Sequence, residues 1–418
     1  MFSQLINRFR QFRRQRREGA RRTTLDQADA AALATQAAPD ASRLLLLRLD
    51  SIGDYLLWRP WLRRFAAEAR AQGQHLTLLA NALWAPLAQA WDADCFDELR
   101  PVEVSRFGRD LAYRAEVLAA VGAGGYGQVV NPLHARNEAL ENFVRYLRAP
   151  VRVASQGAHQ GGAWFAALNA GYTHLLPSDP GPRFEYVRNG EFFENWQQLF
   201  GARPGPDTPA PLPATASDAA LAARMAEIAP PGLPATTAQA GAAEAAAGPY
   251  LVLFAGASAR QKQWPARHFG QLARQLHQQH PGLRLVLAGS PADAALVRQV
   301  QQAAGPAVPF DNRCGRTDLP ALAALLTGAR LVVSNDTVAA HLAALAGTPT
   351  LVLLMGENYG KFFPYPLPLL WAPCRCLFPP SQEARFAQGD FSPPPRDPTI
   401  ARITVARALA AAGELLGF

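Results

Sequence analysis

Short apolar runs alternate with amphipathic stretches along most of the chain. Leu44–Leu49 is a nearly unbroken apolar run, followed by the turn Ser51-Ile52-Gly53-Asp54 and a helical pattern over Tyr55–Ala71. Leu76–Ala80, Gln128–Asn131 and Val151–Ala154 read as further short strands, spaced by helical stretches. A second series opens at Tyr250–Phe254 and continues with Leu283–Ala288, Leu331–Ser334 and Thr350–Leu354. Its helices start at Pro265, Pro291 and Leu319, and Thr337–Leu345 follows the third strand. Strands that alternate with helices predict parallel sheets covered by helices on both faces. Between the two series, Gly201–Pro249 turns to Ala, Pro, Gly and Thr, broken only by a helical pattern at Ser217–Ala229. The boundary is placed there. An N-terminal domain spans 43–202, a linker 203–249 and a C-terminal domain 250–418, and residues 23–41 read as linker or loose helix. The predicted fold class is α/β: two Rossmann-like, doubly wound domains facing a central cleft.

Composition changes this picture only at the N-terminus. A 49% hydrophobic content over 418 residues supplies a core and excludes a disordered or fibrous chain. No run of about 18 apolar residues predicts a spanning helix. The N-terminus lacks the apolar core and small-residue cleavage site of a signal peptide, which predicts a cytosolic chain. Four cysteines (Cys95, Cys314, Cys374, Cys376) make neither a disulfide framework nor a zinc set. The net charge of +8 is concentrated: residues 1–22 carry eight arginines against Glu18, leaving the body near +1. A nucleic-acid partner is therefore not expected. Within that segment Phe2, Leu5, Ile6, Phe9 and Phe12 recur at helical spacing, so a helix would carry one apolar and one cationic face. Such a helix suits an anionic membrane surface; a disordered basic leader and RNA contact are the alternatives.

Candidate chemistry sits in loops that follow strands, where open α/β sheets bind ligands. In the second half these are Ala255–Pro265, Gly289–Asp293, Asn335-Asp336-Thr337 (opening the helix that carries His341) and Met355–Lys361. Of 41 basic residues only Lys262 and Lys361 are lysines, and both fall in these loops. A compact ammonium is a point-charge partner for a diphosphate. Helix starts at Pro265 and Thr337 would add N–H donors for an anion, although Asp336 and Thr337 serve equally as plain helix caps. In the first half Asp54 stands on a strand-to-helix turn, either as a cap or as a general base facing the cleft. His134, Arg136 and Asn137 follow a strand and are candidates for holding an anionic acceptor. Gly122–Gly127 precedes a strand and is no dinucleotide loop. Trp61, Trp84, Trp91 and Trp164 read as packing residues. His277 and His280 lack partners at metal-ligand spacing.

Arg48-Leu49-Asp50-Ser51-Ile52-Gly53-Asp54, with Pro60 beyond it, resembles the opening motif of glycosyltransferase family 9, the lipopolysaccharide heptosyltransferases. Gly256 with Lys262-Gln263-Trp264-Pro265 resembles its second motif. Asn335-Asp336-Thr337 with His341-Leu342-Ala343-Ala344 and Gly347-Thr348-Pro349 resembles its third. Gly315–Leu319 fits the linking turn, and Phe184-Glu185, Arg188-Asn189 and Phe192-Phe193 match a pattern found in part of the family. The resemblance implies a GT-B architecture and an inverting, metal-independent transfer from a nucleoside-diphosphate sugar, with ADP-heptose as first expectation. The implied acceptor is a lipopolysaccharide core or related surface glycan, met at the inner face of the cytoplasmic membrane. Carried over residue by residue, Asp54 is the implied base and Lys262 the donor-phosphate lysine. Ser258, Thr317, Asp336, Thr337 and His341 are implied donor contacts, with Asp293 toward the ribose. Lys361 is a further candidate phosphate contact. Val338 stands where the family usually has glycine, and Asp293 is one methylene shorter than glutamate. A different nucleoside-diphosphate sugar, or a silent glycan-binding protein at the membrane, are the rival readings.

Overall fold

The computed structural model describes residues 19–158, 163–202, 233–366, 372–392 and 400–417. The helical pattern at Ser217–Ala229 and residues 1–18 of the basic segment lie outside them. The first sheet comprises β1 (Asp40–Arg48), β2 (His75–Asn81), β3 (Glu98–Val102), β4 (Tyr126–Asn131), β5 (Val151–Ser155) and β6 (His174–Leu176). The second comprises β7 (Tyr250–Phe254), β8 (Arg284–Ala288), β9 (Phe310–Asn312), β10 (Leu331–Asn335), β11 (Thr350–Leu353) and β12 (Cys374–Leu377). Their orders are β3-β2-β1-β4-β5-β6 and β12-β11-β10-β7-β8-β9, parallel throughout. Each sheet is thus doubly wound with the same topology, and together they form the GT-B arrangement of two α/β domains. The order reverses between β1 and β4 and between β7 and β10, which places one ligand crevice on each domain.

The inner strands are buried on both faces, so their apolar runs are legible. Four strands escaped the hydrophobic pattern: β3, β6, β9 and β12. All four are edge strands. Half-covered positions admit charge and proline, as in Glu98-Leu99-Arg100-Pro101-Val102 and Cys374-Arg375-Cys376-Leu377.

The helices that position the site are α1 (residues 19–32), α2 (Ile52–Ala71), α3 (Glu185–Phe200), α4 (Ala235–Ala246), α5 (Ala266–Gln279), α6 (Leu319–Thr327), α7 (Val338–Leu345) and α8 (Val405–Leu416). Residues 23–41, expected as a linker or loose helix, are instead docked structure. Leu25 of α1 and Leu33 just after it are buried, and the buried Asp29 carboxylate accepts from Arg114 Nη2 at 2.8 Å and Asn142 Nδ2 at 2.8 Å. Arg21 donates to the Gly108 carbonyl, and Arg22 pairs with Glu138 at 2.9 Å while lying over Trp164. Part of the supposed linker 203–249 is likewise packed, as α4 lies against α6. A Cβ on Gly241 would come within 2.8 Å of Thr327 Cβ, so the small residues serve close helix packing. The remaining tryptophans behave as packing residues: Trp61 and Trp84 are fully buried and Trp91 nearly so.

One apolar core joins the two domains. Trp61 Nε1 donates to the Tyr186 carbonyl at 3.0 Å, and Phe184 packs on Tyr365 of the C-terminal domain with ring centroids 4.8 Å apart. Removing one partner of a buried ion pair leaves an uncompensated charge. Asp29→Ala should therefore destabilise the protein by about 3–5 kcal/mol. Urea denaturation followed by tryptophan fluorescence measures this, and a loss below about 1 kcal/mol would show that α1 is not integral to the fold.

Candidate active site

The turn after β1 is built to hold its backbone still. The Asp50 carbonyl accepts from Asn81 Nδ2 at 2.8 Å and from Trp84 Nε1 at 3.1 Å. Ser51 then caps α2, and its N–H donates to Asp54 Oδ2 at 3.3 Å, so Asp54 is the third helical residue of a capping box. The capping reading of Asp54 is real, and its side chain is still half-buried at the crevice of the first sheet. Beneath it lies Arg48, fully buried at the end of β1. Its guanidinium pairs with Asp50 Oδ2 at 2.9 Å, donates to Asn189 Oδ1 at 2.9 Å and lies over Trp58. Glu185, at the start of α3, completes the wall. Burial raises its pKa, the charge on Asp54 adds to this, and Lys361, Arg48 and Arg188 oppose it. Burial also holds the Asp50 carboxyl well above the usual range, against the pull of Arg48.

Asn335 organises the second crevice. Its Nδ2 donates to the Ala255 carbonyl at 2.7 Å and the Gly256 carbonyl at 3.1 Å, while its Oδ1 accepts from the Trp264 N–H at 3.0 Å. One amide therefore ties the loop after β7 to the turn after β10. That brings Lys262 to Asp336, with Nζ 3.7 Å from its Oδ2 and also 3.7 Å from Glu357 Oε2. Burial raises the Asp336 pKa, opposed by Lys262 and a hydrogen bond from Asn358. Thr337 caps α7, its Oγ1 accepting from Ala339 N–H at 3.2 Å, which leaves the first turn of α7 opening beside Lys262. Ser258 is exposed on the same loop, and Thr317 is half-buried just before α6. Asp293 accepts from the Ser290 N–H at 2.9 Å and lies over the first loop: a Cβ on Gly256 would meet its carboxylate at 2.6 Å. Val338 is half-buried against the core.

Two residues cross between the domains. His341, buried on α7, lies against Gly53, where a Cβ would come within 3.0 Å of the imidazole Cδ2. Its Nδ1 is 2.6 Å from the Tyr365 hydroxyl and its ring stacks on Phe363. Burial lowers its pKa to about 4, with Asp54 pulling the other way. His341 thus supports the Gly53–Asp54 turn from the opposite domain. The Lys361 carbonyl accepts from the Glu185 N–H at 2.8 Å, and its ammonium faces Glu185 and His134 electrostatically. It is therefore turned toward the first domain. His134 is buried beside Arg188 (3.0 Å) and Ser178 (2.8 Å), and burial, with the charges of Arg188 and Lys361, lowers its pKa to about 3. Arg136 and Asn137 hold structure. Arg136 pairs with buried Glu141 at 2.6 Å and donates to the Ser155 carbonyl, and Asn137 caps a helical turn through Ala139 N–H. Among the described residues no group of three or more His, Cys, Asp or Glu side chains is arranged to hold a metal ion.

Arg48, Asp50, Glu185 and Asn189 stand inside motifs visible in the sequence, yet their convergence on Asp54 depends on α3 returning to the first sheet. Glu357 and Tyr365 carry no motif signal at all.

Residues 207–367 match the sequence model described as Glycosyltransferase family 9 (heptosyltransferase). The chain carries a glycosyltransferase family 9 domain. It is accordingly a glycosyltransferase. No curated protein matches it in sequence. Among solved structures it is similar to a glycosyl transferase family 9 protein from Veillonella parvula, with TM-score 0.62 and 19% identity over 91% of this chain and 99% of that one. It is also similar to the E. coli ADP-heptose lps heptosyltransferase II, with TM-score 0.58 and 19% identity over 90% and 98%. The E. coli heptosyltransferase WaaC with ADP-2-deoxy-2-fluoro heptose gives TM-score 0.57 and 19% identity over 89% and 99%. These neighbours share the fold on which the family 9 domain is carried.

Both buried histidines have pKa values below the ordinary 6.5, so the unfolded chain takes up protons first as pH falls. Stability present above about pH 6.5 should then be lost toward pH 4, each histidine costing about 2 kcal/mol at pH 5 relative to neutral pH. His341→Gln should make the pH dependence shallower by about one proton between pH 6.5 and 4. Chemical denaturation at stepped pH reads the slope, and an unchanged slope would mean that His341 is protonated in the native state.

Proposed function

We propose that this glycosyltransferase moves a sugar, heptose in the first instance, from a nucleoside-diphosphate donor such as ADP-heptose to a lipopolysaccharide core or related surface glycan. One observation carries the reading. A half-buried carboxylate on the turn of the first crevice and a lysine beside a helix N-terminus in the second are held in one interdomain contact by His341 against Gly53. The similar E. coli structures, whose names specify ADP-heptose donors, agree with this choice.

In the proposed reaction an acceptor hydroxyl attacks the anomeric carbon from the face opposite the leaving group, and Asp54 takes its proton. The C1–O bond to the diphosphate breaks as the new glycosidic bond forms, so the configuration inverts. Lys262 and the N–H groups of the first turn of α7 stabilise the charge that develops on the departing diphosphate. The diphosphate takes the place of Glu357, the more exposed of the two carboxylates on Lys262. Ser258 and Thr317 are assigned to the donor side, and Asp293 to the ribose. The proposed chemistry uses no metal.

The first test is thermal stability with ADP, UDP, GDP and TDP in turn. At about 100 times its dissociation constant a ligand stabilises by about 2.7 kcal/mol. Selective stabilisation by ADP, lost in Lys262→Ala, is the expected outcome. Preference for another base would change the donor, and Val338 in place of glycine is the feature that would then matter. No shift with any nucleotide would favour a silent glycan-binding protein. Asp54→Asn should reduce kcat by about 10²- to 10⁴-fold while ADP affinity stays within about twofold; undiminished turnover would remove Asp54 as the base.

The cationic N-terminal segment is assigned to the anionic inner face of the cytoplasmic membrane, where a glycolipid acceptor would be presented. Among the described residues no helix is long and apolar enough to cross a membrane. Because Arg21 and Arg22 are used on the folded body, deletion should stop at residue 18. That truncation should abolish cosedimentation with vesicles rich in anionic lipid, and retained binding would place the contact elsewhere.

A further inference from the structure

The wall behind Asp54 contains buried polar atoms that no described residue satisfies. Glu185 Oε2, Asn189 Nδ2 and Asp50 Oδ1 lack hydrogen-bond partners, although Glu185 and Asn189 are only 5% and 2% exposed. Buried amides and carboxylates are rarely left this way, because each forfeits its hydration. The three groups are neighbours. Glu185 and Asn189 are four apart on α3, and the Arg48 guanidinium holds Asn189 Oδ1 and Asp50 Oδ2 at 2.9 Å each. Arg48 also donates weakly to the Asp54 carbonyl, at 3.5 Å, which sets the cluster against the turn of the proposed base.

The chemistry of the unmatched atoms is mixed: carboxyl oxygens of Asp50 and Glu185, and nitrogens of Asn189, Arg48 and Arg188 that only donate. A hydroxyl, which donates and accepts at once, is their complement. A phosphate or carboxylate accepts only; it could take the three donors but would leave the Asp50 and Glu185 oxygens facing it. The nearby cations do not reverse this. Arg48 binds Asp50 and Asn189, and Arg188 binds His134 and the Asp179 and Gly181 carbonyls, with its Nε 3.7 Å from Glu185 Oε2, too far for a hydrogen bond.

We infer that Asp50, Glu185 and Asn189 form a subsite for the hydroxyls that flank the attacked one, so that the acceptor presents an uncharged vicinal polyol to Asp54. The inference rests on the glycosyltransferase reading and names the acceptor surface within it. It also gives a role to the contact between the Glu185 N–H and the Lys361 carbonyl, at 2.8 Å. The segment Met355–Lys361 lines the pocket of Lys262 at one end and fixes the first residue of α3 at the other, so acceptor and donor walls share one strap.

The test uses the full chain, ADP-heptose, and a deacylated rough lipopolysaccharide core before and after phosphatase treatment. Glu185→Ala should raise the KM for the core at least tenfold, with ADP affinity by calorimetry within twofold of wild type. Glu185→Gln keeps an acceptor oxygen and should recover part of the loss, and Asn189→Ala should repeat the acceptor effect. The dephosphorylated core should serve at least as well as the phosphorylated one. An unchanged acceptor KM in both alanine variants, a parallel loss of ADP affinity, or transfer abolished by phosphatase would overturn the inference. So would a wild-type chain that binds ADP but transfers to neither core. Failure of wild type to bind ADP would instead remove the donor reading on which it stands.

Discussion

Everything at the cleft depends on one close approach, the imidazole of His341 against the Cα of Gly53. A Cβ at position 53 would come within 3.0 Å of Cδ2 and 3.2 Å of Nε2, so only glycine lets α7 reach the start of α2 without displacement. That contact sets the spacing of the two crevices. The imidazole is itself held by the Tyr365 hydroxyl and the Phe363 ring, which directly follow the Met355–Lys361 strap. Burial keeps the ring neutral well below pH 6.5, so it fills the interface without placing a second positive charge beside Asp54.

The two halves of the site are prepared in different ways. In the second crevice, the proposed donor side, one neutral amide, Asn335, makes three backbone hydrogen bonds and fixes two loops, leaving charge to Lys262 and Asp336. In the first crevice, the proposed acceptor side, charge is buried, with Arg48 spanning Asp50 and Asn189 under a carboxylate turn. Rigid neutral scaffolding suits a diphosphate, whose charge the lysine and helix end meet directly. In the proposed reaction the acceptor hydroxyl arrives neutral, and its proton must leave. A wall already crowded with carboxylates favours a group that can receive that proton.

How much of this was legible follows from where each residue lies. The inner strands announced themselves because both their faces are buried, and the strand-to-helix turns carrying Asp54, Lys262 and Asp336–Thr337 followed from them. The edge strands β3, β6, β9 and β12 did not, because one flank is open and the apolar pattern is interrupted. Residues 23–41 and 235–246 were misjudged for a different reason. Alanine-rich segments look like linkers when composition is read alone, but at Gly241 the lack of a side chain permits close helix-to-helix contact. His134 and Arg136 are two positions apart in sequence but serve unlike ends. One faces the interdomain space beside Arg188, and the other is locked to Glu141 beneath the surface.

Glu185 shows best why local patterns stop short of function. Within its own helix it is an acidic residue in the first turn, a placement the helix dipole alone would explain. An exposed first-turn carboxylate would gain that dipole interaction at little cost in hydration. Glu185 instead sits almost wholly out of water, beside two further carboxylates, with one oxygen unmatched. The dipole gain is a few tenths to about 1 kcal/mol, whereas leaving a buried polar group unsatisfied costs about 1–3 kcal/mol, more for a charge. Capping cannot be why the residue is there. Arg188 Nε, 3.7 Å from Glu185 Oε2, offsets part of that cost, and a ligand completing the carboxylate's hydrogen bonds would offset more, the property expected of a binding surface.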